Sequence, residues 1–294
     1  MLASGARGRG FESRHSDHSP AIVTQRLNRV IAVVADFHAK CQGGDVTGSL
    51  FAELKTVAEM LQEDYTSDEM SFVLSAPELA AIKTELPLLV ARMETELEKA
   101  EGARQLARLE EHGAQAFDDF ILYDKYKNLV RKEWLLYQNL HTDEELRGMR
   151  FLFAGCGGMP LTAIGMAKTY GVRVDCCDID DEACRIAAGM IGRLGLQDKM
   201  RVHHQSAMEI DYSPYDVVIV ANLVQPQLQV LARLSSFENV RAVIVRRVNG
   251  LVSLLYSGVN PEGLQPIGLE LVATADPNDR TSVHQSVLLK RCTD

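Results

Sequence analysis

At Arg150 the hydrophobic period of this 294-residue chain changes, and that change constrains the fold more than any other feature. Before it, from Ala21 to about Leu140, apolar residues recur every three or four positions. Val23, Leu27, Val30, Ile31 and Val34 make one stripe, and Leu50, Leu54, Val57 and Leu61 another. That spacing predicts amphipathic helices. A third helix runs through ELAAIKTELPLLVARMETELEKAEGARQLARLEEHG, with Pro87 expected to kink or divide it, and a fourth is LYDKYKNLVRKEWLLYQNL. Strand-like alternation is scarce here, so this half predicts a helical bundle. After Arg150, short β-branched runs (MRFLFAG, VRVDCCDID, RVHHQS, YDVVIVANLV, VRAVIVRRV) alternate with helical stretches. Such alternation specifies a parallel sheet with helices on both faces. The last segment, LELVATADPNDRTSVHQSVLLKR, predicts an antiparallel pair around a Pro-Asn-Asp turn.

The expected organisation is a disordered tail over 1–20, a helical domain over 21–147 and a Rossmann-like domain over 148–294. The net charge of −9 leaves no basic stripe to neutralise phosphates, which argues against nucleic acid. No apolar run approaches the roughly 20 residues needed to span a bilayer. The Gly-, Arg- and Ser-rich tail lacks the apolar core of a signal peptide, so a cytoplasmic location is expected. Six cysteines form no CxxC pair and predict buried small side chains in a reducing compartment. His203 and His204 are consecutive in a strand and face opposite ways, a poor metal pair. No protein-bound metal is expected.

The first strand after the change ends in Ala154-Gly155-Cys156-Gly157-Gly158-Met159-Pro160, followed by Leu161 and Thr162. Gly155 and Gly157 allow a tight turn and close approach to a ligand. A dinucleotide fingerprint wants glycine where Pro160 stands, so the NAD reading weakens. S-adenosylmethionine (SAM) carries no pyrophosphate and needs no phosphate cradle. Glycines in such a turn also serve structure alone, but other features converge on this one. The second strand ends at Asp178-Ile179, where an acid can accept hydrogen bonds from both ribose hydroxyls. The third leads into Ser206-Ala207-Met208, suited to an adenine edge and face. The fourth ends at Ala221-Asn222, at the carboxyl edge where open parallel sheets bind ligands. The fold class expected is α/β, a Rossmann-like SAM-binding sheet of class I methyltransferase type with an N-terminal helical bundle.

FAGCGGMPLTAIGMA, then DIDDEA, YDVVIVANLV and VIVRRVNGLVSLLY, preceded by FDDFILYDKYKNLVRKEWLLY, resembles the nicotianamine synthase family from about Ser49 to Tyr256. The resemblance implies transfer of the 3-amino-3-carboxypropyl (aminobutyrate) group of SAM to an amine, with 5′-methylthioadenosine released. In the bacterial branch, similar to staphylopine and pseudopaline synthases, the acceptor is histidine and an opine-type dehydrogenase completes the metallophore. The product, not the enzyme, would then bind metal. Matching to the family places the catalytic glutamate at Glu96, with Glu94 and Glu98 as register alternatives, beside Tyr123 and Tyr126. It places Arg246, with Arg247 as alternate, on a substrate carboxylate, and Asn249 and Tyr256 near the acceptor. Asn249 departs from the histidine of plant members. The glutamates also fit a solvated helix face and the tyrosines fit interdomain packing. Two other functions stay open: an ordinary SAM-dependent small-molecule methyltransferase and a non-catalytic SAM-binding protein. The oligomeric state, a homodimer included, is also open.

Overall fold

The structure is a computed structural model that describes residues 20–43, 48–118, 121–275 and 283–292, without the side chains of residues 118, 121–125 and 261. The expected tail, up to residue 19, and the Pro-Asn-Asp turn lie outside the described residues. Helices α1 (Pro20–Cys41), α2 (Gly48–Leu61), α3 (Ser67–Leu74), α4 (Ile82–His112), α5 (Gln115–Asp118), α6 (Ile121–Tyr137) and α7 (Asp143–Gly148) precede the sheet. The Thr66 and Thr142 hydroxyls open α3 and α7, each with a glutamate three residues on that returns a bond to the cap backbone. Pro87 lies inside α4 and does not divide it.

From Arg150 the strands and helices alternate as the pattern predicts: β1 (Arg150–Ala154), α8 (Leu161–Tyr170), β2 (Arg173–Asp178), α9 (Asp181–Arg193), β3 (Val202–His204), β4 (Val217–Val220), α10 (Gln227–Ser235), β5 (Ala242–Arg247), β6 (Leu269–Thr274) and β7 (Gln285–Arg291). The seven strands lie in the order β3-β2-β1-β4-β5-β7-β6. The first five are parallel, and β7 runs antiparallel between β5 and β6. Strand alternation sends Phe151, Phe153, Val174 and Cys176 into one apolar layer and Leu152, Ala154 and Cys177 into the other. Among the described residues no helix is long and apolar enough to cross a membrane.

The two halves share their cores. Ile82, Leu86, Val90 and Met93 of α4 pack with α1 and α2, and into the same cluster come Val248, Leu251, Leu254 and Tyr256 from the segment after β5. Farther along α4, Leu109 joins Val130 and Trp134 of α6 in the layer against the sheet. Gly102 lets α4 lie close to α9 and the β1–α8 loop. A Cβ there would stand 3.0 Å from the Ile186 side chain and 3.2 Å from the Gly158 carbonyl. One turn earlier on the same helix sits Glu98.

Candidate active site

The carboxyl ends of β1, β2 and β4 and the middle of α4 enclose a cavity of about 230 Å³. Gly155 (φ 76°) and Gly157 (φ 61°) take the left-handed conformation that lets the β1–α8 loop turn across its floor. Space demands glycine as well: a Cβ on Gly157 would overlap the Glu98 carboxylate, and one on Gly155 the Val224 methyl. The Asp178 carboxylate accepts the Gly157 N–H at 2.8 Å and the Asp180 N–H at 3.0 Å. Asp178 therefore shapes the loop and still lines the cavity. Ile179, 72% exposed, forms an apolar lip. Ser206 and Ala207 line the facing wall, where Ser206 Oγ accepts the Met208 N–H at 3.1 Å. Met208 itself packs against the core, away from its expected place on a ligand face. Pro160 caps α8, Leu161 is buried in the core, and Ala221 stands beside Gly155. Asn222 is buried, and neither amide atom has a hydrogen-bond partner among the described residues.

Helix α4 supplies the acids, and its geometry selects among the three candidates. Glu94 and Glu98 are one turn apart and share a face. Glu98 Oε1 accepts the Met159 N–H at 3.2 Å, and Glu94 Oε1 accepts the Tyr256 hydroxyl at 2.7 Å. Glu96 lies on the opposite side, with its side chain 59% exposed and 2.8 Å from Lys99 Nζ. It does not reach the cavity, and the expectation for Glu96 is corrected on that ground. Burial raises Glu94 to about 6, against the pull of the Tyr256 hydrogen bond. Burial likewise raises Glu98 to about 7, opposed by the Met159 N–H and Arg246 and reinforced by Asp178 and Glu94. The Tyr126 phenol, half-buried, is raised by burial first and then by Glu98. Tyr123 belongs to α6, but its side chain lies outside the described residues. The neighbouring cations are already paired: Lys99 meets Glu96, Asp180 and Glu182.

Arg246 is engaged by a protein carboxylate. Its Nε and Nη2 donate to the two Glu133 oxygens at 2.9 and 3.1 Å, and Nη2 also donates to Thr162 Oγ1 at 2.7 Å. The Ser286 hydroxyl donates to Glu133 Oε1 at 2.8 Å. Glu133 and Thr162 are fully buried, and the guanidinium lies 5.3 Å from the centre of the Phe153 ring. A buried cation needs a counter-charge in place, and Glu133 provides it. Arg246 and Thr162 thus tie β5, α6, α8 and β7 together. Glu133 was legible in principle, because it falls on the apolar stripe Val130, Trp134, Tyr137 where a charge has no solvent. Alternation along β5 turns Arg247 to the other face. It reaches Gln285 Oε1 at 3.4 Å, as Asn249 does at 2.8 Å, and both line a different cleft. His284 packs edge-on against Tyr256, with ring centres 4.8 Å apart, and burial lowers it to about 4. His203 and His204 diverge: His203 faces Asp175 and Tyr215, while His204 Nε2 lies 3.0 Å from the Ile179 carbonyl. Among the described residues, no group of three His, Cys, Asp or Glu side chains is placed to hold a metal ion.

Known proteins are similar to this chain in sequence and fold. The chain is 30% identical over 118 residues to an L-histidine 2-aminobutanoyltransferase of Pseudomonas aeruginosa, covering 40% of this chain and 45% of that protein. It therefore spans less than half the length of that relative. A nicotianamine synthase of Oryza sativa subsp. indica is 27% identical over 229 residues, covering 73% of this chain and 66% of the relative. The fold matches that of a Glu-to-Gln mutant of MtNAS in complex with S-adenosylmethionine, with a TM-score of 0.72 at 22% identity over 90% of this chain and 98% of the other. MtNAS in complex with MTA and tNA matches with a TM-score of 0.71 at 22% identity over 92% of this chain and 99% of the other. The model of the family described as nicotianamine synthase protein matches residues 19–294, and the chain belongs to that family.

Proposed function

We propose that the cavity transfers the 3-amino-3-carboxypropyl group of SAM to the amine of a small amino acid, histidine first among the candidates. The observation that carries this reading is the pair Glu94 and Glu98, half-buried on one face of α4 beside the glycine loop, with no unpaired cation among the described groups around them. Neither carboxyl has an ion-pair partner of its own among the described residues, and a sulfonium and an ammonium would supply one. The residues present fit SAM. Gly157 leaves the loop backbone open where a side chain would close it, Asp178 offers remaining lone pairs to a ribose, and Ile179 and Ala207 offer apolar surface to a purine.

SAM supplies a methylene carbon activated by the adjacent sulfonium. The amine nitrogen forms the new C–N bond, the C–S bond breaks, and its electron pair leaves with sulfur as methylthioadenosine. Glu98 takes the proton that the acceptor ammonium must lose, and its value near 7 suits a base at neutral pH. Tyr126 and the Tyr256–Glu94 pair hold the acceptor side of the cleft, and α4 shields the reacting groups from water. With histidine as acceptor, an opine-type dehydrogenase is the expected consumer of the product. Incubation with SAM and single amino acids, followed by mass spectrometry of the nucleoside, tests the proposal. Methylthioadenosine formed only with an acceptor is the expected result. S-adenosylhomocysteine would make the protein a methyltransferase, and tight SAM binding without turnover a non-catalytic binder.

A further inference from the structure

We propose that a second cleft, between α3 and the segment after β5, binds the carboxylate of a small organic acid through Arg247. The cleft is about 700 Å³, within the usual size for a small-molecule site. Arg247 is its one charged lining residue among those described. The other polar side chains are neutral: Ser67 and Ser71 one turn apart on α3, Ser75 at its C-terminal cap, and Asn249, Ser253 and Asn260. Among the described residues no acid lines the cleft, so its one charge favours an anion.

Arg247 itself is incompletely used. It is half-buried, and its Nε is buried with no hydrogen-bond partner among the described residues. Its Nη2 makes a long bond of 3.4 Å to Gln285 Oε1, an oxygen that Asn249 already engages at 2.8 Å. Desolvation depresses its pKa, and no carboxylate opposes the shift. This contrasts with its chain neighbour Arg246, which has two oxygens of Glu133. A guanidinium stays charged under such a shift and gains most from a planar acceptor that takes two parallel N–H bonds. A guanidinium takes one carboxylate group in its fork, and Met70, Leu74, Val248 and Val259 of the lining suit the carbon chain of an organic acid, which inorganic phosphate lacks.

Titration calorimetry of the intact protein with succinate, L-histidine and inorganic phosphate tests the inference, and it requires no turnover. Saturable succinate binding is expected, weakened about tenfold or more by Arg247→Gln and partly restored by Arg247→Lys. Ser71→Glu, on the exposed side of α3, places a like charge in the cleft and is expected to weaken succinate binding while leaving the fold intact. SAM affinity stays unchanged in all three variants. Competition by L-histidine would identify the carboxylate as that of an amino acid, and its absence would identify a separate organic acid; both place the anion on Arg247. No saturable binding of succinate or L-histidine would overturn the proposal. So would binding that survives both Arg247→Gln and Ser71→Glu, or displacement of succinate by phosphate at the lower concentration.

Discussion

Two carboxyls one helical turn apart in a partly dry cleft ionise at a cost that solvated acids escape. Burial raises Glu94 to about 6 and Glu98 to about 7, against an ordinary 4.5. The sign of the resulting pH dependence is fixed. Both folded-state values lie above the unfolded one, so the stability these groups contribute is fully present below about 4.5 and is lost as pH rises through 6 to 7. Activity runs the other way, because Glu98 accepts a proton only when ionised. Turnover is expected to rise through about pH 7. Glu98→Gln is expected to retain SAM binding and lose turnover by about two orders of magnitude or more. Glu96→Gln, at an exposed site, is expected to change both by less than threefold and stability by about 0.5 kcal/mol or less. A pH–rate profile and a SAM titration on the two variants check this. Loss of turnover in Glu96→Gln with Glu98→Gln active would move the base to the outer face of α4. The sequence METELEKAE offers acids at 94, 96 and 98, and an amphipathic pattern does not choose among them. The choice comes from Gly102, whose close approach to Gly158 and Ile186 turns the 94–98–102 face toward the loop.

At the scale of elements, the Arg246–Glu133 pair joins β5 to α6. The β5 arginine was legible as special, but its partner sits 113 residues away on α6, a separation that single-sequence reasoning does not bridge. The change from helix-only to strand–helix grammar at Arg150 was legible because period depends on local neighbours alone. Three of the four elements in the tie come from the sheet half and one from the helical half, so the pair fixes α6, and with it Tyr126, over β5. Glu133→Gln leaves the guanidinium buried without its counter-charge. The expected loss is about 3–5 kcal/mol, read from chemical denaturation. The double variant Glu133→Leu with Arg246→Met is expected to recover much of it, because removing both charges ends the desolvation cost of each. A double variant no more stable than Glu133→Gln would mean that the hydroxyls of Thr162 and Ser286, left unpaired, dominate the tie.

At the scale of the molecule, the helical half is not self-sufficient. The expected division near residue 147 follows the change of secondary structure, yet packing crosses it twice. The cluster built by α1, α2 and the start of α4 is completed by Val248, Leu251, Val252, Leu254, Leu255 and Tyr256, residues that follow β5. In the other direction, Trp134 of α6 stacks on Tyr170 of α8 with ring centres 4.0 Å apart and planes 4° apart, and is 2% exposed. Helix α4, 31 residues long, contributes to both clusters. A fragment ending at Met149 would leave the underside of the first cluster uncovered and the Trp134 face open to water. Burying a large aliphatic or aromatic side chain contributes about 1.5–3 kcal/mol. Withdrawing the six residues after β5 therefore removes about 9–18 kcal/mol, comparable with the roughly 5–15 kcal/mol that holds a typical domain folded. The fragment is expected to lack a cooperative transition and to show solvent-exposed tryptophan emission. In the intact chain, Trp134 emission and far-ultraviolet circular dichroism should fall together in one denaturant transition. A fragment that unfolds cooperatively with buried tryptophan emission would show that the halves fold independently, and the cleft between them would then be free to open as a hinge.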